Sequence, residues 1–258
     1  MQYIQSEIHS QVMKIKLSRP DKFNSFNREM ALELQEALDQ VELNESIRAI
    51  LITGEGKAFC AGQDLSEAID PNGPGIKRIV EEHYNPIVLR IRSIEKPVVC
   101  AVNGVAAGAG ANIALCCDVV IAATSASFIQ AFSKIGLIPD SGGTFFLPRL
   151  IGFQKASALM MLGDKVSASE ALNMGMIYKI SSDEELQNDS LAIANALANM
   201  PTKGIGYTKR LLNESMFNTF TKQLEREGQI QVDAAATYDY QEGVNAFLEK
   251  RKPIFKGK

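Results

Sequence analysis

The sequence has no tryptophan, only two histidines and no excess of positive charge. Because lysine and arginine total 27 against 30 for aspartate and glutamate, the formal net charge is −3. This balance argues against a nucleic-acid-binding surface and against electrostatic docking to a membrane. No run of 18 apolar residues is present, so no membrane-spanning helix is predicted. The first twelve residues are neither basic nor apolar enough for a signal peptide, and we expect a soluble, cytoplasmic protein.

The sequence also lacks the usual signatures of a zinc site. It contains no Cys-x-x-Cys pair, and His9 and His83 lie far apart along the chain. All four cysteines lie in apolar or glycine-rich surroundings, which is typical of small buried side chains in a reducing compartment. These residues are Cys60, Cys100, Cys116 and Cys117. At 258 residues the chain can bury a large core without disulfides or a structural metal.

The periodicity of the first half predicts an α/β arrangement. Apolar residues alternate with lysines over residues 13–17, which predicts a half-buried strand. Helical spacing of apolar residues over 30–41 predicts a helix with Asn27 as its N-cap. The apolar run over 49–53 predicts a buried strand, so these three elements form a right-handed βαβ unit. Further strands are predicted at 98–102 and 119–122, with a helix at 77–94 and a loop at 54–64.

From Thr144 onward the pattern becomes helical. Ser167 and Glu170 form a capping-box pattern at a helix start. Helices are predicted over residues 183–200, 207–212, 224–236 and 240–250. The first 140 residues or so are thus expected to be α/β and the remainder mostly α.

Two turns rich in glycine and alanine follow two of the predicted buried strands, at residues 59–65 and 104–112. Small residues let another group approach the backbone closely, and free N–H groups at a helix start can hold an anion. Two such N–H groups that converge on one oxygen would form an oxyanion hole. Tight packing of a strand against a helix is the alternative interpretation of the same glycines.

Several other catalytic motifs are absent. Gly108 and Gly110 begin a dinucleotide-binding pattern, but Ile113 occupies the third glycine position. There is no G-x-x-x-x-G-K-[ST] phosphate loop and no G-x-S-x-G nucleophile motif. The sequence therefore disfavours Rossmann-type hydride transfer, phosphate-loop chemistry and serine acyl transfer.

Asp140 is the one acid in an otherwise uncharged segment, residues 136–144. It precedes a predicted helix, so it can act as the helix N-cap or as a general base in an apolar pocket. Burial would raise its pKa and the helix dipole would lower it, which leaves the sign of the shift open.

Together these stretches resemble the crotonase superfamily, also called the enoyl-CoA hydratase/isomerase family. The resemblance covers essentially the whole chain and depends on the order of several motifs. They are Arg19-Pro20 with Asn24, residues 58–65, Asn103-Gly104 with residues 108–110, Cys117-Asp118, and residues 136–144. It implies an α/β fold in which residues 1–200 form a crotonase-like spiral of ββα turns. Residues 201–258 would then form a C-terminal helical oligomerisation region, and the chain would assemble as a homotrimer or a dimer of trimers.

The resemblance also implies an acyl-CoA thioester substrate and a role for individual residues. The backbone N–H groups of Gln63 and Ala109 would form the oxyanion hole. The implied CoA-binding residues are Lys22 and Phe23 at the adenine, Ala61, Gln63, Asp64 and Leu65 along the pantetheine arm, and Phe255 and Lys258 toward a neighbouring subunit's CoA. Because CoA is part of the substrate, no separate cofactor and no metal is expected.

At two positions the sequence departs from the hydratases of the family, which use two glutamates to position and split water. Asn112 and Phe132 occupy those positions here and are expected in the acyl pocket. Asp140 matches the aspartate of the isomerase branch. We therefore expect Asp140 to move a proton from Cα to Cγ, and we expect hydration to be slow.

A finer resemblance connects the chain to the subfamily of phenylacetate degradation that isomerises ring-1,2-epoxyphenylacetyl-CoA to oxepin-CoA. It is carried by residues 62–65, 83–86, 100–111, 131–134, 137–140 and 240–251. The activity it implies is this isomerisation, together with the shift of a Δ3 double bond to Δ2 in an unsaturated acyl-CoA. A straight-chain enoyl- or dienoyl-CoA isomerase and a non-catalytic crotonase-like CoA-binding protein are the alternatives.

Overall fold

The strands of the computed structural model, which describes residues 1–258, form two sheets. In spatial order, the larger sheet contains β1 (Ile4–His9), β2 (Val12–Leu17), β3 (Ala49–Gly54), β5 (Val98–Val102), β7 (Val119–Ala123) and β10 (Lys179–Ser181). The smaller sheet contains β4 (Ala58–Cys60), β6 (Val105–Ala107), β8 (Ser127–Ile129) and β9 (Lys165–Ser167).

The chain alternates between the two sheets. Strands β3, β5 and β7 enter the larger sheet, and each is followed directly by a strand of the smaller sheet, β4, β6 or β8. Within each sheet these strands are parallel, whereas β1 pairs antiparallel with β2 and β9 pairs antiparallel with β8. The predicted spiral of ββα turns is confirmed.

Twelve α-helices complete the fold. They are α1 (Arg28–Leu43), α2 (Leu65–Ala68), α3 (Gly75–Arg78), α4 (Asn85–Ser93), α5 (Ala109–Leu115), α6 (Gly143–Ile151), α7 (Phe153–Leu162), α8 (Ala168–Asn173), α9 (Leu186–Ala198), α10 (Thr202–Ser215), α11 (Phe220–Ala235) and α12 (Tyr238–Leu248). A π-helical segment, Ile79–Tyr84, joins α3 to α4, and short 3-10 helices cover Pro20–Lys22 and Ala131–Ile135. No helix is both long and apolar enough to cross a bilayer.

The strongest local predictions are confirmed. Asn27 is the N-cap of α1, and its side chain accepts a hydrogen bond from the Met30 backbone N–H at 3.0 Å. Ser167 and Glu170 form the complete capping box at the start of α8. Every residue of β3 and β5 is buried, as expected for central strands of a parallel sheet covered on both faces. All four cysteines are buried free thiols.

The predictions fail mainly where elements are short. The segment 54–64 is not entirely a loop, because it contains β4, and the helical C-terminal part contains β9 and β10. Strands of three residues are too short to show the alternation on which strand prediction depends. Helix α10 begins at Thr202 rather than at residue 207, although it contains Gly204 and Gly206. Gly206 is required by packing, since a methyl group there would lie 2.6 Å from the Glu95 carbonyl oxygen.

Candidate active site

The carboxyl ends of three parallel strands meet at one edge of the smaller sheet. Strand β4 leads into residues 61–63, β6 into Gly108 and Ala109, and β8 into Gln130 and Phe132. In α/β sheets this edge is where ligands bind, because loops and helix starts from neighbouring strands converge there. The sheet topology therefore brings both glycine-rich turns to one place.

The Gln63 N–H has no partner within the protein. Phe26 forms a parallel bridge with Gln63, in which the Phe26 N–H donates to the Gly62 carbonyl at 2.7 Å. The Phe26 carbonyl accepts from the Asp64 N–H at 2.8 Å. In such a bridge the groups on either side of the central residue make both bonds, so the Gln63 N–H points away from Phe26. It is free to donate to a ligand.

The Ala109 N–H lies beside this turn. Ala109 is the first residue of α5, where backbone N–H groups lack an intrahelical acceptor, and the first bond back to Gly108 comes from Asn112. A methyl group on Gly62 would lie 3.5 Å from the Ala109 nitrogen and 3.0 Å from the Ala107 carbonyl oxygen. With a φ of +93°, Gly62 is needed both for its conformation and for this close approach.

The glycines of the two turns differ in what they contact. Gly110 serves packing, because any side chain there would collide with the Cys60 backbone and thiol. Burial raises the pKa of that Cys60 thiol to about 12, so it remains neutral behind the turn. Gly62 instead lies next to the Ala109 N–H, the close approach that the predicted oxyanion hole would need.

Asp140 is half-buried, and its carboxylate accepts a hydrogen bond from the Ser141 hydroxyl at 2.8 Å. Burial raises its pKa, while the Ser141 hydrogen bond acts in the opposite direction. The interpretation of Asp140 as a helix N-cap is wrong, because Gly142 occupies the N-cap of α6. Ser141 and Gly142 have φ values of +52° and +75°, so two left-handed residues separate Asp140 from the helix.

Asn112 connects α5 to the Asp140 loop. It is 1% exposed, and its Nδ2 donates to the Asp140 carbonyl at 2.9 Å. Its Oδ1 accepts from Gln130 Nε2 at 2.8 Å, so both ends of the amide are engaged. Gly143 lies directly against this amide and has no room for a side chain. Asn112 therefore holds the Asp140 backbone in position, and Gln130, which the sequence did not single out, holds Asn112.

Phe132 lies on the other side of the turn. It is 6% exposed, and a methyl group on Gly108 would be 3.7 Å from its ring. The ring therefore covers the start of α5 next to Ala109. An apolar ring at this position excludes water rather than orienting it.

The residues expected near the adenine are tied to the same turn. The Ala61 N–H donates to the Phe23 carbonyl at 2.9 Å, and Lys22 and Phe23 are both exposed. Phe23 and Asn24 are consecutive non-glycine residues with positive φ, +49° and +54°. Such strained pairs persist where the surrounding structure holds them and are common at functional sites. Leu65, on the same stretch as Ala61, is 51% exposed.

Asp64 has a structural role in this segment. Its carboxylate accepts hydrogen bonds from Arg19 at 3.0 Å and from the Ser66 N–H at 3.1 Å, and it caps α2. Burial alone would raise the pKa of Asp64, but these hydrogen bonds lower it, so the carboxylate is ionised. The ion pair with Arg19 holds the turn that contains Gln63.

Phe255 and Lys258 are not brought to this site within one chain. They line a separate cleft of about 940 Å³, together with Arg48 and Lys96. Arg48 is 4% exposed and donates to the Phe255 carbonyl at 2.9 Å, which fastens the C-terminal segment. A role for these two residues in CoA binding would therefore have to be toward another subunit.

The chain is similar in sequence and in fold to known proteins. The chain matches the family described as enoyl-CoA hydratase/isomerase over residues 7–258. It is 49% identical over 261 residues to the 1,2-epoxyphenylacetyl-CoA isomerase of Escherichia coli (strain K12), with full coverage of both chains. It is 35% identical to the trans-2-decenoyl-[acyl-carrier-protein] isomerase of Streptococcus mutans, covering 96% of this chain and 95% of that one. A crystal structure of an enoyl-CoA hydratase from Bacillus anthracis superposes with a TM-score of 0.93 at 33% identity, with both chains fully covered.

Proposed function

Because the chain belongs to the enoyl-CoA hydratase/isomerase family, we propose that it is an acyl-CoA isomerase that converts ring-1,2-epoxyphenylacetyl-CoA to oxepin-CoA. The Escherichia coli relative, identical at 49% of positions over the full length, supports this substrate. The observation that carries the reaction type is the Asp140 carboxylate, whose pKa is raised by burial and whose backbone is tied by Asn112 to the helix that begins at Ala109. By the family resemblance, Asn112 and Phe132 stand where the hydratases have acids.

The oxyanion hole makes the first step accessible. A thioester oxygen between the Gln63 and Ala109 N–H groups acquires negative charge when the α-proton leaves. The hydrogen bonds from both N–H groups become stronger as this charge develops. Asp140 takes the proton from Cα, and the electron pair of that C–H bond moves into the enolate. Asp140 then returns the proton to Cγ. Atoms and oxidation state are conserved, so one carboxylate suffices.

The ring step requires no further side-chain chemistry. In a 1,2-epoxide of a benzene ring, the bond between the two epoxide carbons opens to give a seven-membered oxepin. Transfer of the α-proton to the ring then draws a double bond out of the ring into conjugation with the thioester. A dienolate of the same type forms when a Δ3 double bond shifts to Δ2, and we propose that the enzyme also performs this shift. Phe132 keeps water from the reacting carbons.

The direct test is incubation of the purified protein with ring-1,2-epoxyphenylacetyl-CoA. Substrate and product have the same mass, so they are separated by liquid chromatography with mass detection and assigned by proton NMR. We expect a product of unchanged mass whose NMR spectrum contains a new ring CH₂ signal and lacks the α-CH₂ signal. Asp140→Asn is the matched control. Unchanged epoxide in the presence of active protein would contradict the proposal.

A straight-chain Δ3-to-Δ2 isomerase is the second candidate. The single carboxylate and the similarity to an acyl-carrier-protein isomerase favour it. Turnover of 3-hexenoyl-CoA, followed by the absorbance of the conjugated product, without turnover of the epoxide would select this candidate. Binding of CoA esters without turnover of either compound would instead select the non-catalytic CoA-binding alternative.

We further propose that residues 1–200 form the catalytic spiral and residues 201–258 an oligomerisation region that builds a homotrimer or a dimer of trimers. Large apolar side chains exposed in this region support the proposal: Phe217 and Phe220 are 77% and 78% exposed, and Phe247 and Leu248 are 83% and 73% exposed. An oligomer would also allow Phe255 and Lys258 to reach a neighbour's CoA. Light scattering at micromolar concentration should give three or six times 28.2 kDa, and a monomer would contradict this assignment.

A further inference from the structure

The side chain of Gln63 is held at both ends, although the catalytic contribution expected of this residue comes from its backbone. The Tyr84 hydroxyl donates to Gln63 Oε1 at 2.8 Å. Gln63 Nε2 donates to Glu67 Oε2 at 2.9 Å. The Glu67 carboxylate in turn accepts from the Arg28 N–H, at the start of α1, at 2.9 and 3.1 Å. The amide is thus fixed between a buried tyrosine and the end of a long helix.

Tyr84 also supports the turn at residues 61–63 in a second way, through Phe26. It is 1% exposed, and its ring packs edge-on against Phe26 with centroids 5.9 Å apart and an interplanar angle of 84°. Phe26 is the residue whose backbone bonds to both neighbours of Gln63. Tyr84 therefore braces the residue that orients the Gln63 backbone and also binds the Gln63 side chain.

The backbone around Tyr84 is unusual. Tyr84 is the last residue of the π-helical segment Ile79–Tyr84, which lies within a helical stretch that continues from α3 to α4. Consecutive residues His83 and Tyr84 are both buried, at 0% and 1% exposure. A π-helical turn widens a helix locally and occurs mostly at functional sites. Burial also raises the pKa of Tyr84 well above its ordinary value, so the hydroxyl remains a donor over the working pH range.

We propose that Tyr84 is a positioning residue that holds the Gln63 N–H in the oxyanion hole through the Gln63 side chain. This inference rests on the proposed function, because it takes the Gln63 N–H as the donor to the thioester oxygen. Gly62, which precedes Gln63, has a positive φ and no side chain, so the Phe26 bridge and the contacts of the Gln63 side chain orient the Gln63 N–H. An oxyanion donor stabilises the transition state because it is oriented before the negative charge develops. If the Gln63 N–H can move, the rate should fall, while the CoA contacts elsewhere stay unchanged.

The test is a double-mutant cycle of Tyr84→Phe and Gln63→Leu. Tyr84→Phe keeps the ring against Phe26 and removes only the hydroxyl. Removing a whole oxyanion donor costs about 10²–10³-fold, and loosening one should cost a part of that, about tenfold in kcat with KM little changed. Because both changes break the same hydrogen bond, the double variant should be no slower than the slower single variant. Tyr178→Phe, whose side chain is 68% exposed, is the matched control and should be unchanged.

A spectroscopic measurement separates this inference from the proposed function. Acetoacetyl-CoA enolises readily, and an oxyanion hole should increase the near-ultraviolet absorbance of its bound enolate without any turnover. We expect the wild-type protein and Tyr178→Phe to give this signal and both Tyr84→Phe and Gln63→Leu to reduce it at saturating ligand. A wild-type signal without epoxide turnover would refute the proposed substrate while leaving the role of Tyr84 testable.

Two results would overturn this inference while leaving the oxyanion assignment in place. One is additive loss in the double variant, which would mean that Tyr84 acts on something other than Gln63. The other is a folded Gln63→Leu variant with the full enolate signal, a result that does not depend on whether Tyr84→Phe folds. Absence of the signal in the wild-type protein would refute the oxyanion assignment and this inference together. Melting temperatures of all variants establish folding.

Discussion

Replacement of Asp140 by asparagine should abolish most proton transfer while leaving the site intact. Asparagine has the shape of aspartate, and its Oδ1 can still accept the hydrogen bond from Ser141. The contact from Asn112 is to the backbone carbonyl of residue 140, so it does not depend on the side chain. The loop that contains Asp140 and the turns that contain Gln63 and Ala109 should therefore remain in place. Only proton transfer by the residue 140 side chain should be lost.

The expected loss in kcat is at least about 10²-fold. Removal of a general base typically costs about 10²–10⁴-fold, which corresponds to about 2.7–5.4 kcal/mol at 1.36 kcal/mol per factor of ten. The residues at the two hydratase positions cannot compensate, because the Asn112 amide is engaged at both ends and Phe132 is apolar. The Glu67 carboxylate is engaged by the Arg28 N–H and by Gln63 Nε2. Affinity for the CoA ester should be largely retained, since the variant alters neither Lys22 nor the backbone of Ala61.

The assay compares kcat of purified wild-type protein and Asp140→Asn for the double-bond shift, with the melting temperature as a folding control. A folded variant that retains more than about a tenth of the wild-type kcat would refute the single-base mechanism, because that loss lies well outside the general-base range.

The same variant makes a prediction about stability. Since the folded-state pKa of Asp140 is raised, the protonated form stabilises the fold at low pH, and that contribution is lost as pH rises through the folded pKa. Ionised Asp140 therefore costs stability at neutral pH, and Asp140→Asn should melt at the same or a higher temperature there. The difference should vanish below about pH 4, the ordinary range of an aspartate. A variant markedly less stable at pH 7 would show that the carboxylate is a structural group.

Three further results are expected. Gln63→Pro should lower kcat by about 10²–10³-fold because it removes an oxyanion donor, whereas Gln63→Ala keeps the N–H and should lose less; a folded, fully active proline variant would exclude the assignment. Ser141→Ala should move the acidic limb of the pH–kcat profile to higher pH, because the Ser141 hydroxyl lowers the pKa of Asp140; a limb that stays in place would show that the hydrogen bond does not tune the base. Hydration of crotonyl-CoA should be far slower than isomerisation, because Asn112 and Phe132 replace the water-positioning acids; comparable rates, measured by loss of conjugated-thioester absorbance, would reveal another water-positioning group.

Local sequence patterns were sufficient for the longer elements. The helix capped by Asn27, the buried strands β3 and β5 and the capping box at Ser167 each depend on residues within one or two turns of one another. The resemblance over the whole chain also identified the family. The three-residue strands of the smaller sheet were missed, because pairing with distant strands rather than local propensity creates them.

The arrangement of the site depended on contacts between residues far apart in sequence. The bridge to Phe26 decides the direction in which the Gln63 N–H points. Tyr84 lies 21 residues beyond Gln63, and only the fold shows that its hydroxyl binds the Gln63 side chain. The sign of the Asp140 pKa shift likewise depends on burial, which no local pattern reveals. The sequence by itself therefore determined the family, the long elements and the residue types available for chemistry. Only the tertiary structure decided which N–H groups are free and how Asp140 is held, because these follow from pairing and burial between distant segments.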